Sequence, residues 1–264
     1  MKARRVKSAI LSAMILLAAA DLAAARDVPL PRPRPEPPAA AVSTDEPGVP
    51  EEAAPSACRL RLTAALATAP SLPPISGPGE CGAPDVVRLE AVVLPDQSRV
   101  AIAPPAVLRC TMAEAIVSWV REEAAPRALD LGSSLRTLDN LASFDCRGRN
   151  NILGAKLSEH GKGNALDIRA LKLADGRMVA LTDPLVPKDF RDGLRQSVCA
   201  RFMTVLGPGS DGYHEDHVHV DLAERRGGYR MCEWDVREPG DTPAAVVADT
   251  VSVPLPRARP IDAH

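Results

Sequence analysis

The sequence predicts an α+β domain in which helices flank a small antiparallel sheet, with disulfides as braces. Hairpin signals, amphipathic helical patterns and a histidine-rich strand alternate along the chain, an order typical of α+β folds. The six cysteines are an even number, which adds the disulfide prediction. The chain has 264 residues and 26 prolines. Because prolines crowd the regions near both ends, the folded domain is placed at residues 57–238.

Two strand pairs are predicted from their turn sequences. Val92–Leu94 and Val100–Ile102 flank Pro-Asp-Gln-Ser, whose residues favour turns. Residues 164–173 and 177–181 flank Asp175-Gly176, the strongest short hairpin signal. Both pairs are therefore expected to lie in an antiparallel sheet.

Two amphipathic helices are predicted between the strands. Thr111 and Glu114 have the spacing of a capping box, so the first helix should open there and end at Pro126. The second should span residues 189–206 and stop at Gly207-Pro208. The aromatic residues of this region are interpreted as core: Trp119, Phe190 and Phe202.

The N-terminus has the pattern of an export signal. Residues 1–25 combine a basic start, an apolar stretch that stops at Asp21, and small residues at Ala23–Ala25 for cleavage. We expect a cleaved signal and a periplasmic or secreted protein; the alternative is an uncleaved membrane anchor. Residues 26–56 are predicted to be a proline-rich disordered linker, and residues 239–264 a disordered tail.

Composition excludes two classes of protein. A formal net charge of −2 does not fit a nucleic-acid binder, which would show a basic stripe. No apolar run reaches the roughly 18–20 residues of a membrane span, so the mature chain should have none. We expect it to be a monomer.

The six cysteines include no Cys-x-x-Cys pair, which argues against a zinc ribbon or thioredoxin chemistry. Behind an export signal they predict three disulfides in an oxidising compartment. Many pairings are possible, and we favour neighbours in sequence: Cys58–Cys81, Cys110–Cys146 and Cys199–Cys232.

Histidine distribution is the most informative feature of the sequence. There are five histidines, and all but His264 fall inside two short motifs. In the first, SEHGKGNALD, His160 precedes a glycine-rich turn and Asp167 lies in the strand that follows. Alternation turns Asp167 away from the apolar residues on either side of it. The glycines allow a tight turn, so His160 and Asp167 can meet at one point.

The second motif, HEDHVHVD, begins at His214 and leads into a short strand predicted at residues 217–222. A spacing of two along that strand places His217 and His219 on the same face. Imidazole nitrogen and carboxylate oxygen suit zinc, and three protein ligands with an open position make a catalytic site. A nearby base would then take a proton from the attacking water.

These residues carry a resemblance to known proteins. SEHGKGNALD matches the Ser-x-His-x-x-Gly-x-Ala-x-Asp motif of zinc D-Ala-D-Ala carboxypeptidases and dipeptidases. HEDHVH resembles the His-x-x-His-x-His motif of murein endopeptidases in the same group, the LAS peptidases. The cysteine-framed region, with FDCRGRNN before the first motif, looks like the bacterial extensin-like C-terminal domain, over roughly residues 57–237. The resemblance implies a LAS-like fold.

The resemblance also implies roles for individual residues. His160, Asp167 and His219 would bind zinc, and His217 would be the catalytic histidine. His214 matches a further active-site histidine of the endopeptidase branch. Asp216 stands where the carboxypeptidase branch has a glutamate base, which makes His217 the preferred base. Either of two arginines would hold a substrate carboxylate or carbonyl: Arg147 or Arg149.

Each pattern also has a purely structural interpretation. His160 and Asp167 can form a structural hydrogen bond, His217 and His219 can be exposed strand residues, and His214 can lie on a loop. The favoured hypothesis is an exported zinc peptidase that cleaves peptidoglycan stem peptides or cross-links. The alternative is an inactive cell-wall-binding module that keeps the metal pocket.

Overall fold

The computed structural model describes residues 54–241. The predicted signal peptide, residues 26–53 of the predicted linker and residues 242–264 of the predicted tail lie outside this part of the chain. The helices are α1 (Ala57–Arg61), α2 (Cys110–Trp119), α3 (Ala125–Asp130) and α4 (Lys188–Arg201). The strands are β1 (Ala67–Thr68), β2 (Ser71–Leu72), β3 (Ile75–Ser76), β4 (Gly82–Ala83), β5 (Val86–Val93), β6 (Arg99–Arg109), β7 (Leu135–Ala142), β8 (Ala165–Leu173), β9 (Met178–Ala180), β10 (Thr204–Leu206), β11 (Val218–Asp221) and β12 (Met231–Glu233).

The fold is mixed α/β with a ten-stranded main sheet. Its strand order is β1-β5-β6-β7-β8-β11-β10-β12, with β2 added on β5 and β9 on β8; β3 and β4 form a separate pair. Most neighbours are antiparallel, but β6 with β7 and β10 with β12 are parallel. The sheet is therefore mainly antiparallel, as predicted, but it is larger than expected and contains these two parallel pairs. The helical segment between β6 and β7 acts as a crossover, which lets those strands run the same way.

The two hairpins are confirmed. β5 and β6 pair around the turn that contains Gln97, whose φ is 66°. β8 and β9 pair around Gly176, which adopts a φ of 91° that suits glycine. The strand predicted at residues 217–222 is present but shorter: β11 spans Val218–Asp221, and His217 lies in the bend before it.

The first predicted helix differs from expectation at both ends. It begins at Cys110, and no side chain caps it, so the predicted capping box at Thr111 and Glu114 does not form. The helix also continues beyond Pro126: a π-helical turn, Val120–Ala124, leads into α3, with Pro126 in the first turn of α3. A wider turn at this point accommodates a residue that lacks an N–H donor.

The second predicted helix is shorter than expected, because the last predicted turn forms a strand. α4 ends at Arg201, Phe202 is extended, and Thr204–Leu206 form β10 instead of a last helical turn. β10 pairs with β11 on one side and β12 on the other. Pairing with a strand on each side stabilises the extended conformation of residues 204–206 more than their helical spacing stabilises a helix. Gly207-Pro208 therefore follows a strand and does not end a helix.

The helices cover one face of the sheet. Trp119, Phe190 and Phe202 are buried in this core, as predicted, and Trp119 Nε1 donates to Ser197 Oγ at 2.9 Å. The strands contribute alternate residues to the same cluster. Those of β8, β10 and β11 are Leu166, Ile168, Leu171, Leu173, Val205, Val218 and Val220. The residues between them along β8, β10 and β11 face the opposite side of the sheet, where the candidate site lies.

Three disulfides are present, and they use all six cysteines. The bridges are Cys58–Cys110, Cys81–Cys146 and Cys199–Cys232. Only Cys199–Cys232 confirms the predicted pairing; Cys58–Cys81 and Cys110–Cys146 were wrong. α1 packs on α2, which brings Cys58 to Cys110. Proximity along the chain is a poor guide to disulfide pairing where a sheet brings distant segments together.

None of the helices in the described part of the chain has the length and apolar character of a membrane span.

Candidate metal centre

The first motif forms a short 3-10 helix, Glu159–Lys162, that presents His160. Ser158 caps its start, and its Oγ accepts from the His160 backbone N–H at 3.4 Å. Gly163 ends it with a φ of 61°, in the left-handed region that favours glycine. A Cβ on Gly163 would also lie 3.0 Å from the backbone nitrogen of Arg109. The motif therefore fixes the backbone on both sides of His160.

Asp167 and His219 come from neighbouring antiparallel strands. Asp167 lies in β8 and stands opposite His219 in β11. Both side chains point away from the apolar core, as alternation along the strands predicts. The 3-10 helix immediately before β8 brings His160 to the same point.

The donor atoms of these three side chains form a tight triangle. His160 Nε2 lies 3.1 Å from Asp167 Oδ1 and 3.1 Å from His219 Nδ1, and His219 Nδ1 lies 2.8 Å from Asp167 Oδ1. All three residues are buried. Asp167 and His219 are 52 residues apart in the sequence, and their side chains meet at one point with that of His160, as the two motifs predict.

The other ring nitrogen of His160 and of His219, the one outside the triangle, has a hydrogen-bond partner. His160 Nδ1 lies 2.6 Å from the Ser143 carbonyl oxygen, which can only accept, so Nδ1 carries the proton. His219 Nε2 lies 3.2 Å from Asp221 Oδ2 and donates to that carboxylate. Both imidazoles therefore present their other nitrogen to the centre of the triangle, the arrangement that metal-binding histidines show.

The residues fit a zinc ion. Ligands about 2.0–2.1 Å from a tetrahedral zinc lie about 3.3 Å apart, close to the donor separations here. Two imidazoles and one carboxylate are a common zinc donor set, with one position left for water or substrate. A second close group among the described residues, Cys58, Asp85 and Cys110, does not qualify, because its two sulfurs form a disulfide.

The electrostatics of the triangle favour a cation. Burial alone would raise the pKa of Asp167, but hydrogen bonds with His160 and His219 outweigh it and hold that pKa well below its ordinary value. Burial lowers the pKa of His219, but its hydrogen bonds with Asp167 and Asp221 outweigh this effect and raise it to about 9. Two carboxylates thus place negative charge on either side of the His219 ring.

His217 and His214 lie on the wall beside the triangle. His217 Nδ1 lies 2.8 Å from Asp216 Oδ1, and its Nε2 lies 3.7 Å from Asp167 Oδ2. The His214 ring centre is 5.1 Å from that of His217 and 5.6 Å from that of His219. Both rings are buried. His217 and His219 are therefore not exposed strand residues, which excludes that structural alternative. His214 does lie in the loop between β10 and β11, but its ring is buried beside the other two histidines.

Asp216 is placed differently from the histidines. Its side chain is 81% exposed and does not line the cavity. The hydrogen bond from His217 lowers the pKa of Asp216. The carboxylate therefore orients His217 and faces solvent, away from the donor triangle.

A cavity of about 620 Å³ opens over the triangle, and both predicted arginines line it. Arg147 Nη2 lies 3.8 Å from Asp167 Oδ2, and its Nε lies 3.0 Å from Asp145 Oδ2. Arg149 is exposed at the cavity rim. Of the two candidates, Arg147 is the one that reaches the centre of the site.

Two acidic residues of the site were missed by the sequence analysis. Asp211 Oδ1 accepts from His214 Nδ1 at 2.7 Å, and Asp221 accepts from His219. Asp221 had a detectable signal, because an acidic residue two positions after His219 on a strand must share its face. Asp211 lies in a loop, where no periodicity reveals its partner.

Fold and site together define a mixed α/β domain, held by three disulfides, with a histidine–aspartate cluster of metal-binding geometry. Residues 56–233 match a family model described as the extensin-like protein C-terminus. The match spans more than half of the chain, so this protein belongs to the extensin-like C-terminal family. Comparisons with curated proteins and with solved structures gave no match.

Proposed function

We propose that this protein is an exported zinc-dependent peptidase that hydrolyses amide bonds in peptidoglycan stem peptides or cross-links. The observation that carries the proposal is the donor triangle of His160, Asp167 and His219, with sides of 2.8–3.1 Å. The same three residues occupy the ligand positions of the LAS peptidase motifs that the sequence resembles. The proposal includes a LAS-like fold and activity.

A bound zinc ion would supply Lewis acidity for a water molecule and for the substrate carbonyl. The chain's own part begins with His217. Because Nδ1–H donates to Asp216, the Nε2 lone pair faces the cavity beside Asp167 and can accept a proton from water. His214, held by Asp211, offers a second ring nitrogen on the same wall.

Arg147 supports substrate positioning. Its guanidinium is anchored by Asp145 and extends towards Asp167, and its side chain is 19% exposed. A cation at this place can hold a substrate carboxylate or the carbonyl of the bond to be cleaved. Arg149, at the rim, can contact a more distant part of a peptide.

The choice of a cell-wall substrate rests on three supports. The first is the resemblance of both motifs to enzymes that act on peptidoglycan. The second is the set of three disulfides, which is typical of proteins outside the reducing cytosol. The third is the export signal expected at residues 1–25, which together with the disulfides supports a location in the periplasm or outside the cell.

A second candidate is a cell-wall-binding module that keeps the metal pocket without turnover. The position of Asp216 favours it, because this carboxylate is exposed and does not line the cavity. The site then has no carboxylate base at the position where the carboxypeptidase branch has one. This candidate fails if His217 is sufficient as the base.

Digestion of purified muropeptides, followed by mass spectrometry, separates the two candidates. The peptidase should release cleaved peptides in a zinc-dependent reaction, and His217→Ala should abolish them while retaining zinc. Glu215→Ala is a matched control, since Glu215 contacts Gly209 and Arg237 and does not line the cavity. Zinc-dependent sedimentation with peptidoglycan sacculi, without products, would favour the binding module. Neither cleavage nor binding would contradict both candidates.

A further inference from the structure

Four polar side chains form a row across three neighbouring strands, on the face of the sheet that carries the candidate site. Asp167 of β8 stands opposite His219 of β11, and Asp221 of β11 stands opposite Thr204 of β10. His219 and Asp221 are two residues apart and share a face. All four are buried, with exposed fractions of 3–7%. Two of the three predicted zinc ligands, Asp167 and His219, form one half of this row.

Continuous hydrogen bonds connect His219 to the other half of this row, Asp221 and Thr204. Asp221 Oδ2 accepts from His219 Nε2 at 3.2 Å, and Asp221 Oδ1 accepts from Thr204 Oγ1 at 2.5 Å. Arg225 Nη2 donates to Thr204 Oγ1 at 2.5 Å, and Arg225 Nη1 donates to the Met203 carbonyl at 2.9 Å. Arg225 thus donates to Thr204, the last residue of this row.

The direction of each hydrogen bond follows from the chemistry of Arg225. A guanidinium has only donors, so the Thr204 oxygen accepts from it and must direct its own hydrogen to Asp221. Asp221 Oδ1 then accepts two hydrogen bonds, from Thr204 Oγ1 and from the Ala223 backbone N–H at 2.9 Å, which stabilise the ionised carboxylate. An ionised carboxylate has only acceptors, on Oδ2 as well as on Oδ1. His219 can meet this carboxylate only with a protonated Nε2. The neutral imidazole that a metal requires would therefore keep its proton on Nε2 and present the lone pair of Nδ1 towards Asp167 and His160.

We propose that Asp221, Thr204 and Arg225 are positioning residues that fix the tautomer and orientation of His219 for metal binding. The inference rests on the metal site of the proposed function and extends it to three residues outside the resembling motifs. This role is distinct from support of the fold, because the three residues determine which ring nitrogen of His219 carries the proton.

The test is zinc affinity of the purified, oxidised protein, measured by competition with a chromogenic chelator. Asp221→Ala should weaken zinc binding by roughly 10- to 100-fold, the usual effect of removing such a partner. Asp221→Asn keeps an acceptor and should fall between wild type and Asp221→Ala. Thr204→Val should weaken binding less than Asp221→Ala does. Asp85→Asn is the control: Asp85 pairs with Ser56 and Arg59 away from the site, so zinc affinity should be unchanged.

A spectroscopic readout separates positioning from general destabilisation. In the zinc-loaded wild type, the Nε2 proton of His219 should be visible by NMR and protected from exchange. Asp221→Ala should lose this signal while the backbone spectrum remains folded. If Asp221→Ala does not fold, Thr204→Val and Asp221→Asn decide the question.

Unchanged zinc affinity in these variants would overturn the positioning role, as would an equal loss in Asp85→Asn. A wild-type protein that binds no zinc would instead contradict the proposed metal site itself. The two failures are therefore distinguishable.

Discussion

Asp167 and His219 face each other across neighbouring antiparallel strands, with Asp167 Oδ1 2.8 Å from His219 Nδ1. The site therefore depends on the register of β8 against β11. A slip of one residue in either strand would turn that strand's site residue, Asp167 or His219, into the apolar core. Leu166 and Val220, which pair with each other and are fully buried, oppose that slip. Packing on one face of the sheet thus sets the geometry on the other.

Removal of Arg147 should impair substrate use without loss of metal. The guanidinium lies beside the donor triangle, with Nη2 3.8 Å from Asp167 Oδ2. The side-chain hydrogen bonds of the two histidine ligands go to other residues. A hydrogen bond to a charged group contributes about 1.5–3 kcal/mol, so Arg147→Ala should lower kcat/KM on a cleaved muropeptide roughly 10- to 150-fold.

Arg149→Ala is the matched comparison, because Arg149 lines the same cavity from an exposed position. Its effect should be smaller, and zinc content should equal that of wild type in both variants. An equal or larger loss in Arg149→Ala would show that the rim arginine is the one that holds the substrate.

Asp211 should act through His214. Asp211 Oδ1 accepts from His214 Nδ1 at 2.7 Å, and Asp211 Oδ2 accepts from Asn150 Nδ2 at 3.0 Å, so this carboxylate joins two loops at the cavity. Asp211→Ala should reduce kcat/KM by about 10-fold, the effect of losing one charge-assisted hydrogen bond. In Asp211→Ala/His214→Ala the losses should not add, because both changes remove one unit.

Glu215→Gln serves as the control for this cycle, since it alters a neighbouring loop carboxylate that does not line the cavity. Full additivity in the double variant would mean that Asp211 and His214 act independently, contrary to the structure.

Local patterns in the sequence were sufficient for the parts of the site that lie within one turn or one strand. The turn at Gly163 and the alternation around Asp167 both have short-range causes, and both are present in the structure. The direction of β7 relative to β6 was not predictable in the same way, because it depends on how a helical crossover packs. Phe202–Leu206 shows the same limit: its helical spacing was real, but pairing with β11 and β12 determined its conformation.

The disulfide pairing makes a separate prediction. Peptide mapping under non-reducing conditions should find Cys58–Cys110, Cys81–Cys146 and Cys199–Cys232. Cys81–Cys146 closes a loop of 65 residues, for which chain entropy predicts a stabilisation of about 4 kcal/mol. Replacement of both cysteines by serine should lower the free energy of unfolding accordingly, as measured in urea.

Cys146 also precedes Arg147 directly, so this bridge restrains the segment that carries the arginine. Recovery of Cys58–Cys81 or Cys110–Cys146 peptides from the native protein would contradict the structure.

Elemental analysis of the purified protein after dialysis tests the metal centre most directly. We predict one zinc per chain in the wild type, no zinc in His160→Ala or His219→Ala, and one zinc in His264→Ala, which changes the one histidine outside the two motifs. Zinc at 100 times its Kd should also stabilise the wild type by about 2.7 kcal/mol and leave the two ligand variants unaffected. A wild-type protein without bound metal, or zinc retained equally in all the variants, would contradict the account.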